Sequence, residues 1–159
     1  MATGCLAQPE TEPSPAFSSE KEAFAAAEAT YRAYVHALNE VDLSDPTTFE
    51  GVYAWTTGEL STSDRKGLSA YHADGVAVSG DSRIQIIQRR SIDETGVVTL
   101  AVCLDVSEVQ VVGEDGGSLV APDRVRVQSL LVSVAPDEAS PTRLLLTSIG
   151  AREGEPACV

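Results

Sequence analysis

The chain is expected to fold as an α+β domain, helices first and a meander of long antiparallel strands after them. Three observations predict it. A helical apolar period runs from Phe24 to Leu38, the period changes to two after Val76, and turn sequences rich in Gly, Asp and Pro separate the later apolar runs. At 159 residues the chain can bury one core of useful size, and division into two domains is not expected.

The first helix lies in "SSEKEAFAAAEATYRAYVHALNEVD", where Ser19 and Glu22 make a capping box and Phe24, Ala27, Tyr31, Val35 and Leu38 share a face. Asp45 as N-cap and Pro46 at the first position open a short second helix that ends near Gly51 to Tyr53. A third is expected in "TTGELSTSDRKGLSAYHADG", with Leu60, Leu68 and Tyr71 apolar, a stop at Gly75 and a weak point at Gly67. "GVAVSGDSRIQIIQRRSI" reads as one or two strands and "DETG" as a hairpin turn. "VVTLAVCLDVSEVQVV" reads as one long strand, with Val98, Leu100, Val102, Leu104 and Val106 on one face and Thr99, Ala101, Cys103 and Asp105 on the other. "SLVAPDRVRVQSLLVSV" is a further strand, broken or bulged at "PD", and "TRLLLTSIGA" closes the sheet after the turn "PDEASP". The expected core is Phe24, Tyr31, Val35, Leu38, Val98, Leu100, Val102, Leu104, Leu131 and Leu146.

Charge excludes whole classes of partner. With 24 acidic against 11 basic residues the net charge is -13, which repels nucleic-acid phosphates, so no nucleic-acid partner is expected. No run reaches the roughly 18 apolar residues of a membrane span. Cys103 and Cys158 lie far apart with no CxxC pair, and only His36 and His72 could assist them, so no metal is expected. The sequence carries no glycine-rich phosphate loop, GxSxG elbow or HExxH, and no cofactor is expected.

The first residues have their own organisation. "ATGC" (2–5) resembles the end of a bacterial lipobox, in which small residues precede a Cys that is lipidated, and the match covers those four residues alone. Behind Cys5 stands a segment punctuated by Pro9, Pro13 and Pro15, acidic at Glu10 and Glu12, and without Lys or Arg. Such a segment buries too little apolar surface to offset its ordering entropy. Residues 1–19 are therefore expected to be a lipobox remnant and flexible acidic tether, and residues 20–159 a single domain. The expected place is extracytoplasmic, anchored to the bacterial cell membrane through a lipid on Cys5; a plain N-terminal Cys is the alternative. In such a compartment the two remaining thiols invite a disulfide between Cys103 and Cys158, the alternative being a buried Cys103 and a free Cys158 in a frayed tail.

In element order, residues 20–152 resemble the NTF2-like superfamily, the cone-shaped fold of nuclear transport factor 2, ketosteroid isomerase and SnoaL-type polyketide cyclases. "YRAYVHALN", "VYAWTTGE" and "CLDVS" are similar to small actinobacterial lipoproteins of that superfamily. The resemblance implies N-terminal helices on a curved sheet, a cavity between the layers, and a possible homodimer. Tyr31, Tyr53, Trp55, His72 and Asp105 are the candidate pocket residues, with Tyr34 beside them. Asp105 would be the general base if the domain were a small isomerase or cyclase, and a solvated strand-end carboxylate otherwise. His72 reads equally as a helix-end residue meeting the macrodipole, and Tyr53 and Trp55 as core. The expected function is non-catalytic binding of an unknown small molecule or envelope protein, because Asp105 alone among the candidates suits a base.

Overall fold

The computed structural model describes residues 17–159; the lipidation site expected at Cys5 and most of the expected tether lie outside the described residues. Helix α1 spans Glu20–Asn39. The Ser19 hydroxyl accepts the Glu22 N–H at 3.2 Å, and the Glu22 carboxylate reaches back to the N–H (3.2 Å) and hydroxyl (2.6 Å) of Ser18. That is one residue earlier than the reciprocal bond of a standard capping box. These bonds to Ser18 hold the Glu22 carboxyl below its ordinary range. Phe17 packs, partly buried, against the core, so the folded body begins ahead of the boundary drawn at residue 20.

The second helix is a 3-10 turn, Pro46–Phe49, that runs into one α turn, α2, Glu50–Tyr53. Asp45 caps it through Oδ1, which accepts the Thr47 N–H at 3.0 Å. Helix α3 spans Gly58–Ala73 and has no fully buried residue. Six strands follow: β1 Ala77–Ser79, β2 Arg83–Ile92, β3 Val98–Asp105, β4 Gln110–Val112, β5 Val127–Pro136 and β6 Leu144–Ala151. Four form an antiparallel sheet in the order β2-β3-β5-β6, and β1 pairs with β4 apart from it. The α+β layering is as expected, with helices against one face of the antiparallel sheet.

Two expected strands are shorter than the sequence suggested. The run from Val97 to Val112 breaks after Asp105, whose Oδ1 accepts the Ser107 N–H at 2.9 Å. Arg124 then donates to the Val106 carbonyl at 2.8 Å, and the chain turns so that β4 joins β1 instead of extending β3. The stretch around "APDRVR" is likewise outside the sheet, and β5 begins only at Val127. Gly80 makes the crossing possible: it has φ +79, and a Cβ there would run into the Glu108 carbonyl.

The register decides the faces. Val98, Leu100 and Val102 stand opposite Val134, Val132 and Leu130, beneath α1. Tyr31, Val52, Val98, Leu100, Val102, Val132, Val134, Leu144 and Leu146 are fully buried there. Leu131, expected in the core, pairs with Ala101 on the opposite face and is 38% exposed. In "QSLLVSV" adjacent apolar residues compete for the inward position, and a shift of one residue exchanges the faces. Leu38 is partly buried at the core's edge.

Both sheet edges are interrupted. β2 carries irregularities between Ile84 and Ile86 and between Arg89 and Ser91. Along β6, Thr57 donates to the Leu146 carbonyl at 3.0 Å and Leu146 to the Trp55 carbonyl at 2.9 Å, so residues 55–57 cover part of that edge.

Beyond β6 the tail folds onto the outer face, where Cys158 is joined to Cys103 in the expected disulfide, with Cα atoms 5.4 Å apart. Arg152 supports the same fold-back, donating to the carbonyls of Leu130 (3.2 Å), Gly154 (3.0 Å) and Pro156 (3.0 Å). Replacing Cys158 by Ser is expected to lower the unfolding free energy by about 2–5 kcal/mol, measured by denaturant titration against the oxidised parent. A parent whose intact mass does not change on reduction would show the bond to be absent.

Candidate functional site

The residues singled out from sequence lie in different parts of the molecule. Tyr31 is 1% exposed and fills the space between α1 and the sheet where the resemblance implied a cavity. Tyr34 stacks against it with centroids 6.3 Å apart and donates its hydroxyl to Asp64 Oδ2 on α3 at 3.0 Å. Burial pushes the ionisation of both phenols well up, as suits structural hydroxyls. Tyr53 lies under the Arg65 guanidinium, 4.0 Å from the ring centroid. Trp55 packs, partly buried, against the core.

His72 ends α3 with Nδ1 2.7 Å from the Leu43 carbonyl oxygen and its ring edge-on to Phe49. It lines a concavity of ≈ 590 Å³ together with residues of the loop 41–44 and of β1. Asp105 closes β3. Its carboxylate accepts from the Ser107 N–H and, at 3.3 Å, from Gln85 Nε2, bonds that hold it below the ordinary carboxylate range. A general base needs the opposite shift at neutral pH. Of these residues, His72 alone lines that concavity.

A larger groove, ≈ 860 Å³, opens at one end of the sheet. Its floor is apolar: Phe17, Ala23, Ile92 and Pro136. Glu20 starts α1 on one side. The β2–β3 hairpin contributes Asp93 and Glu94, and the β5–β6 loop Asp137, Glu138 and Arg143. Within the hairpin, Asp93 Oδ1 accepts from the N–H groups of Thr95 (2.8 Å) and Val97 (3.0 Å), which with the Thr95 hydroxyl keep its carboxyl below the usual range. Gly96 follows with φ +85, and a Cβ there would meet Pro136 Cγ at 3.0 Å, so the hairpin closes directly onto the end of β5.

The β5–β6 loop is tied to itself and to α1. Asp137 accepts the Ala139 N–H at 2.9 Å, and the Arg143 carbonyl accepts the Asp137 N–H at 2.9 Å. Buried Thr30 donates to the Ala26 carbonyl at 2.7 Å, and its hydroxyl lies 2.6 Å from that of Thr142. Arg143 adopts φ 63, a left-handed conformation uncommon outside Gly and concentrated at functional sites, and its guanidinium lies 5.4 Å from the Phe17 centroid. This groove is not visible in the sequence, where "DETG" and "PDEASP" read only as turns. The signal available was that both turns carry adjacent acids and both end apolar strands.

No family model matches the chain, and no curated protein matches it in sequence. Among solved structures it is similar to CagV, a VirB8 homolog of T4SS from Helicobacter pylori strain 26695, with TM-score 0.51 and 9% identity over 82% of this chain and 99% of that one. It is also similar to the VirB8 protein of Agrobacterium tumefaciens, with TM-score 0.45 and 11% identity over 87% and 97% of the two chains. At 9% identity the likeness to CagV is one of fold. The expected membership among SnoaL and ketosteroid-isomerase relatives and small actinobacterial lipoproteins is thereby corrected: no family model supports it, and the structural likeness runs to a VirB8 homolog.

Two outcomes test this geometry. Gly96→Ala, strained at its φ and crowded by Pro136, is expected to lower the unfolding free energy by about 1–2 kcal/mol in a denaturant titration. Asp64, half-buried, has a carboxyl raised above its ordinary value by desolvation, partly offset by the Tyr34 hydroxyl. Its folded form therefore holds a proton more tightly than the unfolded chain does, and the fold loses stability as pH rises through the raised pKa. Asp64→Asn, which stays neutral, is expected to melt above the parent at neutral pH and to converge with it below the carboxylate range.

Proposed function

We propose that this chain is a non-catalytic, extracytoplasmic domain that binds a protein partner in the bacterial cell envelope, tethered to the membrane through a lipid on Cys5. The observation that carries the reading is the dispersal of the reactive side chains: Asp105, His72 and the tyrosines are engaged in separate structural bonds, while the larger groove has an apolar floor and no catalytic pair. That is the surface of a binding module.

Two further facts support it. The Cys103–Cys158 disulfide suits an oxidising compartment, and the likeness to CagV is a fold-level analogy to a VirB8 homolog of T4SS. Among the described residues no helix is long and apolar enough to cross a membrane. On this reading the residues between Cys5 and Phe17 connect the lipid to the folded body. The isomerase or cyclase alternative depends on Asp105, and a carboxylate stabilised in its ionised form by Ser107 and Gln85 is a weak base.

Fractionation of bacteria expressing the full-length gene product tests the reading. The parent is expected in the membrane fraction, accessible to protease once the outer layers are opened, and Cys5→Ser is expected to move to the soluble extracytoplasmic fraction. A Cys5→Ser protein that stays with the membrane would remove the lipid tether, and a protease-shielded cytoplasmic parent would remove the location.

A further inference from the structure

The groove at the sheet end combines features that one kind of occupant satisfies. Its apolar floor offers a place for aliphatic side chains. Along its rim Glu20, Glu94 and Glu138 have no ion-pair partner among the described residues, and Asp93 and Asp137 add charge while capping their own turns. These carboxylates come from three separate elements and do not close on a point: among the described residues no group of three or more His, Cys, Asp or Glu could hold a metal ion. They act instead as an extended negative field around an apolar slot, and a slot of several hundred Å³ is the size that ordinary ligand sites have, about 300–1,000 Å³.

The charge selects among occupants. A second copy of this chain brings a net charge of -13 to a rim already negative, and like charges brought together across an interface are costly. The chain's own first residues, with Glu10 and Glu12 and without Lys or Arg, do not supply the complementary charge. An anionic lipid surface is excluded likewise. We propose that the groove is the docking site for an extended segment of a partner protein in which Lys or Arg alternates with aliphatic residues, the aliphatic side chains on Ile92 and Pro136 and the cations along Glu94 and Glu138. This inference rests on the partner-binding reading above and deepens it.

The test uses the full chain and short dye-labelled synthetic peptides in a fluorescence anisotropy titration. A peptide alternating Lys and Leu is expected to bind, more weakly as salt rises, whereas peptides alternating Glu with Leu or Lys with Ser do not. Reversing both rim charges, Glu94→Lys with Glu138→Lys, is expected to weaken binding about tenfold or more, since each attraction is replaced by repulsion. Both positions are exposed, and a thermal melt checks that the variant folds. Reversal of Glu40 and Glu50, with Glu40 at the far end of α1 roughly 30 Å away, is expected to leave binding unchanged.

Equal loss in the two double variants, or binding of the Lys and Ser peptide as strong as that of Lys and Leu, would mean only general attraction to an acidic protein and would overturn the assignment. So would no binding by the Lys and Leu peptide, a result that does not depend on any variant. Should Cys5→Ser fractionate as expected while the peptide fails, the groove assignment falls alone; should the peptide bind while the parent proves cytoplasmic, the envelope reading falls and the groove stands.

Discussion

The packing of α1 across the inner face of the four-stranded sheet is the constraint on which the other features depend. Ala27 and Tyr31 on the helix and Val98, Leu100, Val102, Val132 and Val134 on the strands are at most 1% exposed, and burying each large one contributes about 1.5–3 kcal/mol. The Tyr31 ring occupies space between the layers, and the two concavities described above lie at the periphery of that core. The helix also fixes the periphery. Its capped N-terminus forms one side of the end groove, and the contact between the Thr30 and Thr142 hydroxyls ties the opposite loop to it.

Elsewhere the molecule is held by fewer and more specific contacts. Helix α3 has no fully buried side chain and depends on the Tyr34 to Asp64 bond, the Arg65 to Tyr53 contact and the partly buried Leu60 and Leu68. The outer face of the sheet is covered at Cys103 by a polar tail that a covalent bond and Arg152 keep in place. A tail with so little apolar surface would otherwise fray. The strong hydrophobic face and the covalently closed face thus solve the same problem by different means.

Much of this architecture was legible in local chemistry. The Ser19 cap, the helical stripe of α1, the Asp45 and Pro46 start, and the change of period after Val76 each follow from interactions within a few residues. The pairing of Cys103 with Cys158 followed from thiol count and compartment. What sequence did not reveal depended on distant partners. The break after Asp105 needs Arg124 and Arg126 to receive Val106, and the choice of Leu130 over Leu131 for the core needs the β3 register. The groove was hidden most completely, because its walls come from residues near 20, 94 and 138, which nothing but the folded chain brings together.

The irregular edge of β2 has a consequence for behaviour at high concentration. An edge strand ten residues long, paired on one side alone, is ordinarily a template on which another strand adds, the first step towards fibrils. Here the two irregularities distort the row of outward N–H and C=O groups, and the exposed Arg90 adds a charge that a second copy of the same strand would repeat. The opposite edge is partly occupied by residues 55–57. Copies crowded side by side therefore lack a clean ribbon along which to zip together, and crowding alone offers the domain no continuous edge on which to build a fibril.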